Sequence, residues 1–517
     1  TAGLLLDVGF PVDEGRLPTA HDVVGVSQLL LGKATNARFA NTGLIGVTAA
    51  ATANGGSGGA GALASAAGYR VTGEPVGVTV TNGGTLNVTA TALTTADAGV
   101  VRLANAIATG MGFYANYVAL PEMPDIVHGG GSDSGQGQNG HPAGDTEEEP
   151  SIPTYALPGT VENAGPINVT ARSSGASQVP TTGLELPSSI VAGQTLTVGS
   201  TAVGVEFISA SNTITMTNRG TISASAITDG APAQAFGVRV LDYENASSVQ
   251  AGEGDVFTFN NNGGTIIARQ STNGGTTWTH GTAIDTSLAP NAVNIRFDGN
   301  SNVYGNIKLS ADDAITIASG ITRLDGVINP FVPVVDTEVL PASSGGSGIS
   351  TLAVGTQAVP LAAGPVGPLV GSLTIANSAT LMLLHPAGGP PAAANVNTFT
   401  LASGGTLALQ LPNSPIAATA QAAYPYINAN TANLAGRLMV QLATPNGLYA
   451  NAYNFQDIID ANTRNGTFSS VVTNTGSVLL TPAAIYDSAN NVDLTGTRVA
   501  FGAGPGLTFN QKATGDG

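Results

Sequence analysis

Cysteine is absent from all 517 residues, which excludes disulfides, thiolate metal sites and Cys nucleophiles together. Charge is nearly as scarce. Sixteen Lys and Arg stand against 33 Asp and Glu for a net −17, yet only 9% of residues are charged, where an ordinary globular chain has roughly 25%. So few cations cannot form the clustered basic surface that neutralises nucleic-acid phosphates or meets an anionic bilayer. Aromatic residues make up 5%, with a single Trp. A long membrane-type run is missing too. The longest uncharged apolar stretch, Val359 to Ala376, carries Pro360, Pro365 and Pro368 together with Gly364, Gly367 and Gly371, so it reads as a buried or interface-forming loop rather than a transmembrane helix. The chain opens at Thr1 without a basic n-region, and Leu4 to Leu6 is too short for a signal h-region; the expectation is a mature chain whose leader has been removed.

What is present suits strands and tight turns. The sequence holds 69 Gly and 29 Pro, with 42% hydrophobic residues, above the range in which low hydrophobicity and high charge produce disorder. The surface must be built from Thr, Ser, Asn and Gln. At this length two or more domains, or one elongated one, are expected. Helical spacing occurs twice near the N-terminus, as Val23, Val24, Val26, Leu29, Leu30 and Leu31 behind Asp22, and as Val100, Val101, Leu103, Ala104 and Ile107 after Asp97; both predict short helices. From Gly129 to Pro150 no apolar residue exceeds Ala, so this stretch reads as a long loop or linker. A second boundary is expected at Asn329 to Ser350, where three prolines precede SSGGSG.

A local pattern recurs: a β-run, a polar turn ending in Gly or Ala followed by Ser or Thr, then a second β-run. It appears as VTVTNGGTLNVTAT at Val78, ITMTNRGTISASA at Ile214, FTFNNNGGTIIA at Phe257, LTIANSATLML at Leu373, FTLASGGTLALQL at Phe399 and VVTNTGSVLL at Val471. Alternation places aliphatic residues on one face and Thr, Ser and Asn on the other, with Asn-Gly and Gly-Gly supplying φ > 0 corners. Self-similar short strands between such corners indicate a solenoid, against a set of antiparallel hairpins in a sandwich. Gly220 and Gly264, 44 residues apart, fit two rungs of about 22 residues. The fold class read from these patterns is all-β, a right-handed parallel β-helix with a mixed N-terminal region containing short helices.

The repeats, and above all the stretch from Phe399 to Phe501, resemble the passenger of a type V autotransporter of Gram-negative bacteria, ending in a pertactin-like β-helical stability core. The resemblance is carried by FTLASGGTLALQL, YPYINANTANLAGRLMVQL, YNFQDIIDANTRNGTFSSVVTNTG, VLLTPAAIYD and VDLTGTRVAF in that order. Tyr426, Leu434, Gly436, Leu438, Tyr453, Ile459, Gly466, Phe468, Leu480, Tyr486, Val492, Leu494 and Phe501 fall where the family's pattern has its apolar and glycine positions. The family's membrane barrel does not follow them here. The resemblance implies an autochaperone-like core that templates the rest of the solenoid, export through the periplasm by the outer-membrane barrel of its own precursor, and display on the cell surface. With it the chain divides into residues 1–128, a loop or linker at 129–150, solenoid rungs at 151–330, uncharged Pro/Gly-rich rungs and loops at 331–398, and the autochaperone-like core at 399–517.

Motifs for catalysis are thin. The strings GDSGSP and GTSMA that surround the nucleophile in this family's protease members are absent, as is GDSL, SDSG at Ser132 is only a fragment, and the single GxSxG match, GGSGG at Gly55 to Gly59, falls in the Gly-rich linker Asn54 to Gly61, so the five histidines (His21, His128, His141, His280, His385) lack a nucleophile elbow to serve. Asp312 with Asp313, and Glu253 with Asp255, are the nearest approach to a glycosidase pair, and both read more simply as solvated turn residues. Asp133, Asp145, Glu147, Glu148 and Glu149 form the densest acidic region and are the candidates for calcium, the one cofactor considered, against a plain solvated loop with no EF-hand or GGxGxD array. Trp278, in NGGTTWTHG, reads either as an exposed contact aromatic or as a rung-end plug. Val339 through Gly436, 98 residues, contain no Asp, Glu, Lys or Arg; exposed charge normally opposes association, so this stretch reads as a contact face or as a rung stack closed by its own loops. The expectation is a non-catalytic, self-associating surface scaffold, with an adhesin for cells or glycans second and a polysaccharide-degrading β-helix, tailspike-like in its trimeric variant, third.

Overall fold

The computed structural model describes residues 4–6, 19–34, 37–54, 60–75, 77–95, 102–114, 159–175, 199–208, 213–241, 257–330, 369–386, 389–412, 424–442, 452–473, 480–498 and 508–511. They form a parallel β-helix in which each turn of chain lays down three strands, one on each of three faces. Thr19–Ala34, Ala37–Asn41 and Leu44–Asn54 make the first rung, and Ala60–Pro75, Val78–Asn82 and Thr85–Thr95 the second, each strand pairing in parallel with its counterpart one rung on. On the third face the strands Leu44–Asn54, Thr85–Thr95, Ile167–Ser174, Thr221–Ile227, Thr265–Ser271, Ser301–Tyr304, Gly320–Asp325, Ala379–Leu383, Thr406–Leu411, Arg437–Leu442 and Ser470–Thr473 stack in chain order. Eleven strands at ~4.8 Å span about 48 Å. In the last three rungs the first and second faces run together in single strands, Ala393–Leu401, Tyr426–Leu434 and Ala452–Gly466.

The two expected N-terminal helices are strands. The first lies in Thr19–Ala34; Leu103, Ala104 and Ile107 of the second lie in Arg102–Tyr114, while Val100 and Val101 fall outside the described residues. The cause is a slip in the alternation. Ala104, Ala106 and Ala108 face the core, then Met111 and Phe113, with a step of three across Gly110. A period of two interrupted once by three produces the spacings of a helix. Among the described residues only 509–511 are helical.

Rung length is set by loops rather than by a repeat. Partners on the third face are 21 residues apart at Asn302 and Arg323 and 81 apart at Thr89 and Thr170. The 44 residues from Gly220 to Gly264 are one rung, not two, because Thr221 pairs directly with Thr265. Residues 129–150 lie in sequence between Tyr114 and Gly159, both strands of the third rung, and 331–350 between Ile328 and Ser372 of the eighth. The VVTNTGSVLL segment is no corner of this kind. Its Val471–Thr473 portion ends the third face, and Leu480–Tyr486 then pairs antiparallel with Val492–Arg498, which lies antiparallel on Ala452–Gly466 and caps the stack.

The interior consists of files of like residues. Ile45, Leu86, Ile167, Ile222, Ile266, Val303, Leu324, Leu383, Leu409 and Val440 occupy one register position through ten rungs. Phe39, Tyr69, Phe113, Phe207 and Phe257 form an aromatic column with centroid separations of 4.3, 5.9, 4.8 and 5.0 Å. Stacking supplies the dispersion contacts that a chain rich in Ala and Gly lacks in bulk.

The corner between the second and third faces carries a buried amide ladder. Asn41 Nδ2 donates to Asn82 Oδ1, Asn82 to Asn163, Asn163 to Asn218 and Asn218 to Asn261, at 2.8, 2.8, 2.8 and 2.7 Å, and Asn261 Nδ2 ends the series on Gly264 O at 2.8 Å. Beside it runs a glycine column. A Cβ on Gly84 would lie 2.0 Å from Gly43 O, on Gly165 1.9 Å from Gly84 O, and on Gly220 2.2 Å from Gly165 O. None of Gly84, Gly165 and Gly220 has positive φ, although Gly263 does, at 72°. Most of these corners need glycine for closeness of rungs rather than for φ. Replacing Asn163 by Ala strands one amide donor on Asn82 and one acceptor on Asn218, at ~1–3 kcal/mol each; N163A is expected to lose about 3 kcal/mol in urea denaturation, whereas N168A, which removes an exposed bond to Asn87, should stay within ~0.5 kcal/mol of wild type.

Candidate functional site

A solenoid offers chemistry on its outward files and at its ends. The first face bends at a second glycine column, Gly25, Gly68, Gly110, Gly204 and Gly237, each so close to the next rung that a Cβ would meet the following backbone oxygen at 2.3–2.8 Å. Two residues beyond that bend the register brings together Arg70, Gly112, Glu206, Arg239, Asp285 and Lys308. Beyond the gap at Gly112 the charges alternate in sign from rung to rung. The Tyr114 ring fills the space over Gly112, and its hydroxyl donates to Glu206 Oε2 at 2.9 Å. Arg239 Nη1 lies 3.5 Å from Glu206 Oε1 while its guanidinium stacks 4.4 Å from the Phe236 centroid. Glu206 is 1% exposed. Burial, then the Glu206 charge, hold the Tyr114 hydroxyl well above its ordinary pKa. This ladder was missed in the sequence, although aligning VVGVSQ, AAGYRV, ATGMGF, AVGVEF and AFGVRV on their glycines superposes Arg70, Glu206 and Arg239.

The second face is of the opposite character over its last five rungs. Its two outward files are Ala314, Ser372, Thr398, Thr431 and Thr463, and Thr316, Thr374, Thr400, Asn433 and Asn465. None is charged. Asn433 Nδ2 donates to Thr400 Oγ1 at 3.3 Å and Asn465 Nδ2 to Asn433 Oδ1 at 2.9 Å, and alongside them Asn462 donates to Asn430 and Asn430 to Asn397, at 2.8 and 2.9 Å. Side-chain bonds along the ladder hold these groups at the strand spacing. The described part of the uncharged stretch, from Leu369, forms rungs eight to ten.

The residues singled out in the C-terminal core lie in the last rungs and the capping hairpin. Tyr426, Leu434, Leu438, Ile459, Val492 and Leu494 are buried, and Gly436 packs where a Cβ would sit 2.4 Å from Ala402 O and Gly405 O. Gly466 has φ 79°. The cap closes on Phe468, whose amide donates to the Tyr486 hydroxyl at 2.9 Å, with the Arg464 guanidinium 4.9 Å from the Tyr486 centroid. Tyr453 and Leu480 lie in strands; Phe501 falls outside the described residues. On the same cap, Asp457 has φ 52°, donates its amide to Asp493 Oδ1 at 2.8 Å and accepts from Asn491 Nδ2 at 2.9 Å. Burial, then Asp460, Asp493 and Asp487, push the Asp457 carboxyl above its ordinary value, against the lowering by Asn491.

The structure separates the weaker candidates. Asp313 is buried rather than solvated: Oδ1 accepts the Val293 amide at 2.8 Å, and Oδ2 accepts the Ser310 amide and Thr286 hydroxyl, both at 2.7 Å. That carboxylate is committed to joining two rungs; Asp312 is exposed. Glu253, Asp255, Ser132, His128, His141 and the calcium candidates Asp133, Asp145, Glu147, Glu148 and Glu149 lie outside the described residues. Among the described residues no three His, Asp or Glu gather as metal ligands would, and no helix is long and apolar enough to cross a membrane. Trp278 stands on a hairpin off the third face, 38% exposed, and does not plug a rung end. No protein-family model matches this chain, and a search of curated proteins finds no similar sequence.

Removing one partner of a buried ion pair strands the other. E206L is expected to lower stability by about 3 kcal/mol, and E206L/R239L to recover part of that loss, the Tyr114 hydroxyl still lacking its acceptor, read by a double-mutant cycle in urea. For Asp457 the raised folded-state pKa means that the native cap binds more protons than the unfolded chain, so its contribution to stability is most favourable below the ordinary carboxylate pKa and falls as pH rises through the raised value. D457N should melt above wild type at neutral pH, with the gap closing on acidification; Asn also tolerates the positive φ.

Proposed function

We propose that this chain is a non-catalytic scaffold displayed outside a Gram-negative cell, a solenoid passenger that associates with copies of itself into a surface layer or filament. The observation that carries this reading is the uncharged outward face of the last five rungs. A protein of net charge −17 repels its own copies at long range, yet here ten outward positions in two files present only Ala, Ser, Thr and Asn. Strands ~4.8 Å apart with outward residues ~6.7 Å apart along each strand give a regular grid, and two copies of one grid are commensurate in either orientation. Asn and Thr ladders of this kind are the material of tight sheet-to-sheet contacts.

Two further features support the reading. Both ends of the described stack carry antiparallel strands, Leu4–Leu6 on Thr19–Ala34 and the Leu480–Arg498 hairpin on Ala452–Gly466; covering terminal strands in this way disfavours end-to-end growth by bare strand pairing and leaves lateral association through faces. Buried side chains in the autochaperone-like segment are consistent with a C-terminal nucleus on which the other rungs add, each needing only its neighbour. Export through the outer-membrane barrel of its own precursor belongs to the same proposal.

Contacts made by hydroxyls, amides and methyl groups respond little to screening. Purified protein is expected to sediment as oligomers at both low and high salt, with or without Ca²⁺, and T400K/T374K to sediment as a folded monomer by circular dichroism and analytical ultracentrifugation. A wild-type chain that stays monomeric at high concentration in all these conditions overturns the scaffold.

A further inference from the structure

The third face departs from its plan at one place. Between Thr265–Ser271 and Thr282–Leu288 the chain leaves the rung, turns, and returns as Thr279–His280, antiparallel to its own preceding strand, with Arg269 opposite His280 and Gln270 opposite Thr279. The excursion is held rigidly. Asn273 Oδ1 accepts the Ser271 hydroxyl and the Thr277 amide, both at 2.9 Å, Asn273 Nδ2 donates to Thr277 Oγ1 at 2.7 Å, and Ser271 Oγ accepts the Gly275 amide at 2.9 Å. Gly274 and Gly275, with φ 73° and 93°, make the turn, and Gly274 N donates to Thr228 O of the preceding rung at 2.8 Å.

This rigid turn carries the chain's single tryptophan. Trp278 keeps 38% of its surface exposed, and the Arg269 guanidinium lies 4.3 Å from its ring centroid. Arg269 is itself anchored, its Nε donating to Ser225 Oγ at 3.0 Å on the rung before. Beside the indole, His280 Nε2 lies 3.0 Å from Asp325 Oδ1, two rungs further on. Tyr304, half-buried on the rung between, is the register partner of Asp325. One aromatic plate backed by a cation, a carboxylate beside an imidazole, and a phenol thus meet on one outward patch spanning three rungs, in a chain that otherwise uses charge and aromatic side chains sparingly.

We propose that this patch is a carbohydrate-binding site for an uncharged pyranose, with Trp278 as the stacking plate and Asp325, His280 and Tyr304 as the groups that read its hydroxyls. A sugar ring has an apolar C–H face and a polar rim. An indole offers area at little conformational cost, an imidazole either donates or accepts, and the Asp325 carboxylate, whose Oδ1 is buried against His280, has its other oxygen to accept a hydroxyl. The local charges of Arg269 and Asp325 oppose each other, and the chain's overall negative charge disfavours a polyanionic glycan. The site is independent of the uncharged second face, so it stands or falls apart from self-association.

Because the protein has one tryptophan beside 11 tyrosines, fluorescence excited at the red edge, where only indole absorbs, reports on this patch alone. The test titrates the full chain with neutral malto-, cello-, manno-, galacto- and chito-hexaose, and repeats the series by isothermal calorimetry. A saturable change in Trp emission with at least one of these is expected, lost by at least tenfold in affinity in D325A, which retains the fluorophore. By calorimetry W278A should lose at least tenfold and W278F less. L288S, at an apolar residue exposed elsewhere, should bind as wild type. If none of the five sugars gives saturable binding, or if D325A and W278A bind as tightly as wild type, the site is overturned and Trp278 is a clamp for its own hairpin; equal melting temperatures of wild type and W278A would argue against the clamp.

Discussion

The fold depends on how closely one rung can approach the next at its corners. Parallel strands in register bring backbone within ~4.8 Å, and at the turn from second to third face the approach is closer than any Cβ permits: the oxygen of one glycine occupies the space in which the next would carry a side chain. The same closeness places Asn41, Asn82, Asn163, Asn218 and Asn261 directly over one another, so that each buried amide finds its partner in the identical residue of the neighbouring rung. A buried polar group without a partner is costly, and here that requirement is met only while every rung keeps register.

Register held in this way lets unlike chemistry sit on different faces of one stack. On the first face a bend at a glycine column shelters Glu206 against Arg239 and Tyr114. On the second face the ten outward positions of the late rungs carry no charge. Ion pairs occur on the other faces too, Arg296 with Asp298 on the second and His280 with Asp325 on the third. The late rungs of the second face present a flat array of Thr and Asn, and the third face carries an ordered excursion with a tryptophan at its edge.

Much of the fold was legible before the structure. Alternation around TN-x-G-T turns predicts stacked strands, and the corners at Val78, Ile214, Phe257, Leu373 and Phe399 all join the second face to the third. Gly263 serves its turn through positive φ, but Gly84, Gly165 and Gly220 are needed for space, because the crowding comes from a residue 41 to 81 positions away and leaves no local trace. The N-terminal strands were read as helices since one three-residue step at a bend glycine imitates helical spacing. Asp313 looked like a solvent-facing turn residue; its three hydrogen bonds come from Val293, Ser310 and Thr286, which meet only in the folded rungs.

By itself the sequence determined the covalent and compositional terms: no disulfides, a polar exterior made with few charges, strands of period two and corners that only Gly, Asn and Ser populate comfortably. The tertiary structure alone decided which residues share a register position. Rung spacing ranges from 20 residues, between Asn294 and Ala314, to 94, between Asn105 and Gly199, so neither the charge ladder of Glu206 and Arg239 nor the patch of Arg269, Trp278, His280, Tyr304 and Asp325 has a fixed spacing along the chain. Backbone hydrogen bonding between rungs aligns the strands whatever the loops between them contain, and side chains that are strangers in sequence become neighbours.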